Sequence, residues 1–160
     1  EKARVDGRKP GELYPWVKEV MTSVKKQFPD ACCENTGFGS TIFAVKPGDG
    51  SAREQAASCQ KVLGGWANIA NEYATKRYRS NLINWGMLPF LIQEKELPFH
   101  NLDYLFIPGI KKALEDKAEI ILAYRVGSEG LEKFELRLGE LTDEERQIIL
   151  DGCLINYNRV

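Results

Sequence analysis

Histidine is almost absent from this chain, and its four cysteines lack the paired spacing of a metal or redox site. His100 is the single histidine, so a hydrolytic or zinc centre that needs two histidines from this chain is excluded. Cys32 and Cys33 are adjacent while Cys59 and Cys153 stand apart, which leaves no Cys-x-x-Cys pair. Each cysteine is therefore predicted to be a small buried apolar residue with a reduced thiol, as in a cytoplasmic protein.

An excess of charge of one sign is also absent, because 22 Lys and Arg residues face 23 Asp and Glu residues. The formal net charge of −1 supplies no general attraction for nucleic acid or for an anionic membrane surface. No apolar run reaches the roughly 18 residues of a membrane-spanning helix, and no signal peptide is recognisable. The sequence therefore predicts neither a membrane partner nor a nucleic-acid partner.

The chain begins without methionine and reaches Gly7, Pro10 and Gly11 within a few residues. This composition predicts a linker or boundary over residues 1–11. Residues 12–160 suffice for a single domain with its own hydrophobic core. We expect this domain to be an excised part of a longer chain.

The remaining residues alternate between helical and strand-like hydrophobic patterns. Helices are predicted over 12–28, 52–62 and 142–152. A further helix is predicted after Gly65, and its apolar face is marked by Ile69, Ala70, Tyr73, Ala74 and either Arg77 or Tyr78. Strands are predicted over 40–46, as a buried run, and over 119–126 and 132–138, with a hairpin turn between the last two. The fold class is therefore mixed α/β.

The segment Gly-Asp-Gly-Ser-Ala-Arg-Glu-Gln at 48–55 stands where the first strand passes into the second helix. Free N–H groups and the positive end of the helix dipole at such a junction attract anions. Arg53 adds a full charge that can grip a carboxylate with two hydrogen bonds, and Ser51 adds a hydroxyl. The segment predicts chemistry on a small acid.

Each of these side chains also has a simpler structural interpretation. Ser51 and Glu54 have the spacing of a capping box, which is the commoner role of such a serine. Arg53 taken alone would be a solvated surface charge or a member of an ion pair. Lys76, Arg77 and Arg79 would form a solvated helix face.

Three segments together resemble the C-terminal swivelling domain of the aconitase superfamily. They are GDGSAREQ at 48–55, LGG at 63–65 and RSNLINWGMLPF at 79–90, in matching order and separation. The stretches at 103–109 and 152–157 are also similar to that domain. The resemblance covers the chain from about residue 40 and implies an aconitase-type swivelling β/β/α domain, with a mixed sheet or barrel-like core flanked by helices.

The resemblance implies a hydro-lyase that removes and restores water on a hydroxy di- or tricarboxylic acid. It implies a 4Fe-4S cluster held by other aconitase-type domains of the same chain or by a large subunit, with no cofactor on this fragment. By position, Ser51 would be the catalytic base, Arg53 a carboxylate clamp and the backbone of Ala52 a substrate contact. The isolated domain is expected to fold without catalysing turnover.

Two residues depart from the family pattern. Ala52 replaces a serine and Gln55 replaces a histidine, which implies a different or smaller acid. A further substrate-binding arginine of the family has no counterpart in residues 1–39. Two alternatives stay open: the small subunit of an isopropylmalate dehydratase-like enzyme, or a catalytically silent module that binds a carboxylate or an RNA.

Overall fold

The computed structural model describes residues 9, 12 and 14–159. Lys9 apart, the predicted linker over 1–11 lies outside the described residues, as does Leu13 of the first predicted helix. The elements in chain order are α1 (Pro15–Lys25), β1 (Ser40–Ala44), α2 (Arg53–Val62), β2 (Gly65–Ala70), α3 (Lys76–Asn84), β3 (Leu88–Leu91), β4 (Tyr104–Phe106), α4 (Ile110–Glu115), β5 (Ile120–Val126), β6 (Leu131–Arg137), α5 (Asp143–Leu150) and α6 (Leu154–Tyr157).

The six strands form one mixed sheet in the order β1-β2-β3-β6-β5-β4. Strands β1, β2 and β3 pair in parallel, whereas β3 with β6 and β4 with β5 pair antiparallel. Helices α2 and α3 connect the parallel strands, since parallel neighbours need a crossover. The predicted α/β class with a mixed sheet and accompanying helices is confirmed.

The chain forms two compact units, which we call the motif unit and the aromatic unit. The motif unit comprises residues 39–93, 109–121 and 136–160. Its core includes a buried cluster of Ala57, Tyr78, Leu82 and Met87.

The aromatic unit comprises the described residues up to 38 together with 94–108 and 122–135. Helix α1 buries Val17 and Val24 completely there. The ring of Phe28 lies 5.2 Å from those of both Phe106 and Tyr124, measured between centroids. Aromatic rings therefore pack together with the aliphatic side chains of α1 in the core of this unit.

The strand predicted over 40–46 exists, but the prediction that it is buried is wrong. Strand β1 lies at the edge of the sheet, and Ile42 is 48% exposed. Its apolar composition fits any pleated surface, whereas its exposure depends on the strand order.

The predicted start of the helix that was to carry Ile69 to Tyr78 is also wrong. Residues 65–70 form strand β2, which is buried at all positions except Trp66. Helix α3 begins only at Lys76, after Thr75 caps it. The apparent helical spacing joined residues of a strand, a loop and a helix.

The predictions for the last third of the chain are confirmed. Strands β5 and β6 form a hairpin in which the N–H of Gly127 donates to the carbonyl of Gly130 at 2.9 Å. Helix α5 begins with the predicted capping box. The Thr142 hydroxyl accepts from the Glu145 N–H at 3.1 Å, and the Glu145 carboxylate accepts from the Thr142 N–H at 2.9 Å.

Candidate active site

The GDGSAREQ segment lies at the carboxyl ends of the parallel strands, the edge at which open α/β sheets bind ligands. Two backbone hydrogen bonds fasten the chain that follows β1 to the loop after β2. The Glu72 N–H donates to the Val45 carbonyl at 3.1 Å, and the Ala74 N–H donates to the Pro47 carbonyl at 2.9 Å. The segment therefore starts from a fixed position.

Position 48 requires a glycine because of both its backbone angle and its surroundings. Its φ is +98°, and a Cβ atom at this position would lie 2.5 Å from atoms of Tyr78. Its carbonyl accepts two hydrogen bonds at 3.1 Å, one from Nε of Arg53 and one from the hydroxyl of Thr75. This carbonyl joins the segment to the start of α3.

Ser51 is exposed and does not cap helix α2, so the capping-box interpretation is wrong. The N-cap is Ala52, whose carbonyl accepts the first helical hydrogen bond from Ala56 at 2.9 Å. The Glu54 carboxylate does not reach back to Ser51, because it accepts from Nε1 of Trp85 at 3.0 Å. The Ser51 hydroxyl has no hydrogen-bond partner among the described residues.

Arg53 is half-buried at the first position of α2. Its Nε donates to the Gly48 carbonyl at 3.1 Å, and this bond does not use the two Nη atoms. Within residues 14–159 these Nη atoms have no hydrogen-bond or ion-pair partner, which rules out the ion-pair alternative there. A guanidinium anchored through Nε presents its Nη edge to a carboxylate.

The first turn of α2 adds further donors to the site. The N–H groups of residues 52–55 have no acceptor in the described part of the chain, as is usual at a helix start. Gly50 has no atom within 4 Å of its Cβ position, so the space beside Ser51 is open. The site thus combines a hydroxyl, a free guanidinium edge and helix N–H groups, an arrangement that suits an anionic ligand.

Buried polar residues behind the segment were not predicted from the sequence. Gln60 donates through Nε2 to Oδ1 of Asn68, and Asn68 donates through Nδ2 to the Tyr78 hydroxyl at 2.9 Å. The Tyr73 hydroxyl donates to the Phe90 carbonyl at 3.0 Å. Burial, with a smaller contribution from Tyr78, raises the pKa of Tyr73 well above its usual value. This network fixes α2, β2 and α3 beneath the site.

Arg79 has a structural role rather than the solvated one expected for it. It is half-buried, and its Nη2 donates to the Glu140 carbonyl at 2.5 Å and to the Leu138 carbonyl at 3.4 Å. Lys76 and Arg77 are exposed, as predicted. Only these two of the three cations belong to a solvated face.

The cysteines are less buried than predicted: Cys59 is exposed, and Cys32, Cys33 and Cys153 are half-buried. Nowhere in the described residues do three Cys, His, Asp or Glu side chains come together as a metal site. The described residues therefore do not fit an iron–sulfur cluster.

Among the described helices, none could span a bilayer.

Comparison with known proteins identifies related sequences. The model of the family described as the aconitase C-terminal domain matches residues 10–95. The chain is 26% identical over 126 residues to aconitate hydratase A of Rickettsia bellii, covering 76% of this chain and 14% of that protein. It is also 27% identical over 157 residues to the protein translocase subunit SecA of Kocuria rhizophila, covering 98% of this chain and 15% of that protein. The chain thus spans about a seventh of each curated relative.

Proposed function

Because the chain belongs to the aconitase C-terminal domain family, we propose that it is the swivelling domain of an aconitase-like hydro-lyase. The substrate is a hydroxy di- or tricarboxylic acid. The observation that carries the proposal is that, within the described residues, neither the exposed Ser51 hydroxyl nor the Nη atoms of Arg53, two positions along the chain, have a partner at the open start of α2. The likeness to an aconitate hydratase supports the reaction class.

Arg53 binds a carboxylate of the substrate in this proposal. Its Nη edge supplies two parallel donors, and the N–H groups at the start of α2 supply weaker ones. The carboxylate holds the adjacent carbon beside Ser51. Because the clamp acts on a group that does not react, it contributes mainly to substrate binding.

Ser51 accepts the proton from the carbon next to that carboxylate during dehydration and returns it during hydration. A serine hydroxyl is a weak base in water, so its deprotonated form needs stabilisation. Arg53 and the positive end of α2 favour the negative charge, and exclusion of water strengthens both effects. The open space at Gly50 leaves room for another domain to cover the site.

The 4Fe-4S cluster of such an enzyme belongs, in this proposal, to other aconitase-type domains or to a large subunit. The described residues of this chain supply no ligand set for it. Departure of the substrate hydroxyl is accordingly not assigned to any residue here. The functional protein is then the longer chain or the complex, acting in the cytoplasm.

Ala52 and Gln55 support a substrate that differs from the family's usual one. An alanine at the N-cap offers its backbone but no hydroxyl, so one polar contact to the substrate is missing. A smaller acid, or one with fewer polar groups, needs no such contact. The same two residues favour a second candidate function, a silent module that binds a carboxylate without reaction.

The SecA likeness leads to no separate proposal. The family match over residues 10–95 is to the aconitase C-terminal domain, and the chain covers 15% of the translocase subunit.

The test uses the full-length, cluster-loaded protein and a panel of hydroxy di- and tricarboxylates. Wild-type protein should dehydrate at least one of them, and Ser51→Ala should lower kcat by roughly 10²- to 10⁴-fold, the usual contribution of a general base. Ser58→Ala, on the helix that follows Ser51, is the matched control and should retain full activity. Undiminished turnover of Ser51→Ala would remove the catalytic assignment. Calorimetric binding of an acid without any turnover would favour the silent module.

A further inference from the structure

Thr75 connects the candidate site to helix α3. Its hydroxyl donates to the Gly48 carbonyl at 3.1 Å and accepts from the Tyr78 N–H at 3.2 Å. It therefore caps α3 and holds the GDGSAREQ segment with the same oxygen atom.

The Gly48 carbonyl is also the anchor of Arg53, through the bond from Nε at 3.1 Å. In the described residues this is the one hydrogen bond made by the guanidinium. The position of the Gly48 carbonyl thus sets the direction in which the Nη edge points. A shift of that carbonyl would turn the whole guanidinium plane.

Both packing and hydrogen bonding act on Gly48. The Tyr78 ring lies against the Cα side of Gly48 and restricts where the backbone can move. Orientation of the peptide plane, however, depends on the two donors that meet at its oxygen. One donor is Arg53 itself, so among the described residues Thr75 alone donates to this carbonyl independently of the clamp.

We propose, on the basis of the function proposed above, that Thr75 is a positioning residue for Arg53. Its hydroxyl fixes the Gly48 carbonyl, which holds Nε of Arg53 so that both Nη atoms face the substrate carboxylate. Thr75 itself does not touch the substrate. A serine can replace its hydroxyl as both donor and acceptor, whereas a valine of the same shape can do neither.

The experiment compares Thr75→Val with Thr75→Ser in the full-length, cluster-loaded enzyme. Thr75→Val should raise KM by about tenfold, the factor that corresponds to one hydrogen bond, and should change kcat less than about twofold. Thr75→Ser should restore the wild-type KM. In an Arg53→Lys background, Thr75→Val should raise KM no further, because the group it positions is gone.

Thr142→Val is the matched control, because Thr142 caps α5 in the same unit without contacting Gly48. It should lower thermal stability about as much as Thr75→Val and leave KM unchanged. Equal KM values in the two valine variants, or a raised KM in Thr75→Ser, would overturn the positioning role.

The Arg53→Lys variant distinguishes a failure of the carboxylate clamp from a failure of the positioning role of Thr75. If Arg53→Lys leaves KM unchanged, the carboxylate clamp is wrong, and the proposed function loses its binding group. If Arg53→Lys raises KM while Thr75→Val does not, the clamp stands and only the role of Thr75 is overturned.

Discussion

At the scale of single residues, Arg53 and Ser51 occupy the site in different ways. Arg53 is half-buried and tied through Nε to the Gly48 carbonyl, so its charge has a defined direction. Ser51 is exposed and unbonded within the described residues, so its hydroxyl is available to a ligand. An anchored cation and an available hydroxyl two positions apart in the chain are consistent with the proposed division between binding and reaction.

Arg53→Lys should raise KM for the hydroxy acid by roughly tenfold or more and affect kcat far less. Lysine keeps the charge but cannot make two parallel hydrogen bonds to a carboxylate or retain the Nε contact. The lost hydrogen bonds stabilise the bound substrate and the transition state equally, so their loss raises KM and leaves kcat nearly unchanged. Steady-state kinetics of the full-length enzyme measure it. An unchanged KM would argue against the clamp.

The sequence singled out both residues as candidates but did not predict their contacts. Arg53 and Ser51 stand out because a strand, two glycines and a helix follow one another. The Glu54 carboxylate accepts a hydrogen bond from Trp85, which is 31 residues away along the chain. The Gly48 carbonyl accepts one from Thr75, which is 27 residues away. Local spacing therefore suggested a capping box that long-range contacts replace.

At the scale of elements, the junction between β1 and α2 is built around Gly48. Helix α2, the β5–β6 hairpin and the capping box of α5 were predictable because their signals are local. Strand β2 was not, since a strand buried on both faces lacks the two-residue alternation and can resemble a helix. The exposure of β1 follows from sheet order, which no local pattern encodes.

Gly48→Ala should lower the free energy of unfolding by about 2–4 kcal/mol. Part of the loss comes from the positive φ and part from overlap of the new methyl group with Tyr78. Gly50→Ala is the control, since its methyl group would meet open space, and it should change stability by less than about 1 kcal/mol. Denaturant titrations compare the two. Equal stability of both variants would show that the junction tolerates a side chain at 48.

At the scale of the whole molecule, this chain matches only a small part of the length of each relative to which it was compared. It covers 14% of the aconitate hydratase relative, and the family match extends over residues 10–95. The match begins well before residue 40, where the sequence alone suggested that the resemblance starts. The similar stretches at 103–109 and 152–157 lie beyond the matched range, so their kinship stays a prediction.

The isolated chain should unfold cooperatively but show no dehydratase activity. The motif unit has a buried apolar core, whereas its candidate site is open and its described residues supply no ligand set for a cluster. Circular dichroism during thermal unfolding tests the first expectation, and an assay with hydroxy acids tests the second. Turnover by the isolated chain would contradict the need for further domains.

Exchange of the substrate's carbon-bound proton with solvent deuterium tests the assignment of Ser51 as the base most directly. The full-length, cluster-loaded enzyme should incorporate deuterium from D2O next to the carboxylate, as measured by mass spectrometry. We predict that Ser51→Ala slows this exchange by roughly 10²-fold or more, while Ser58→Ala exchanges at the wild-type rate. Exchange by Ser51→Ala at the wild-type rate would contradict the account.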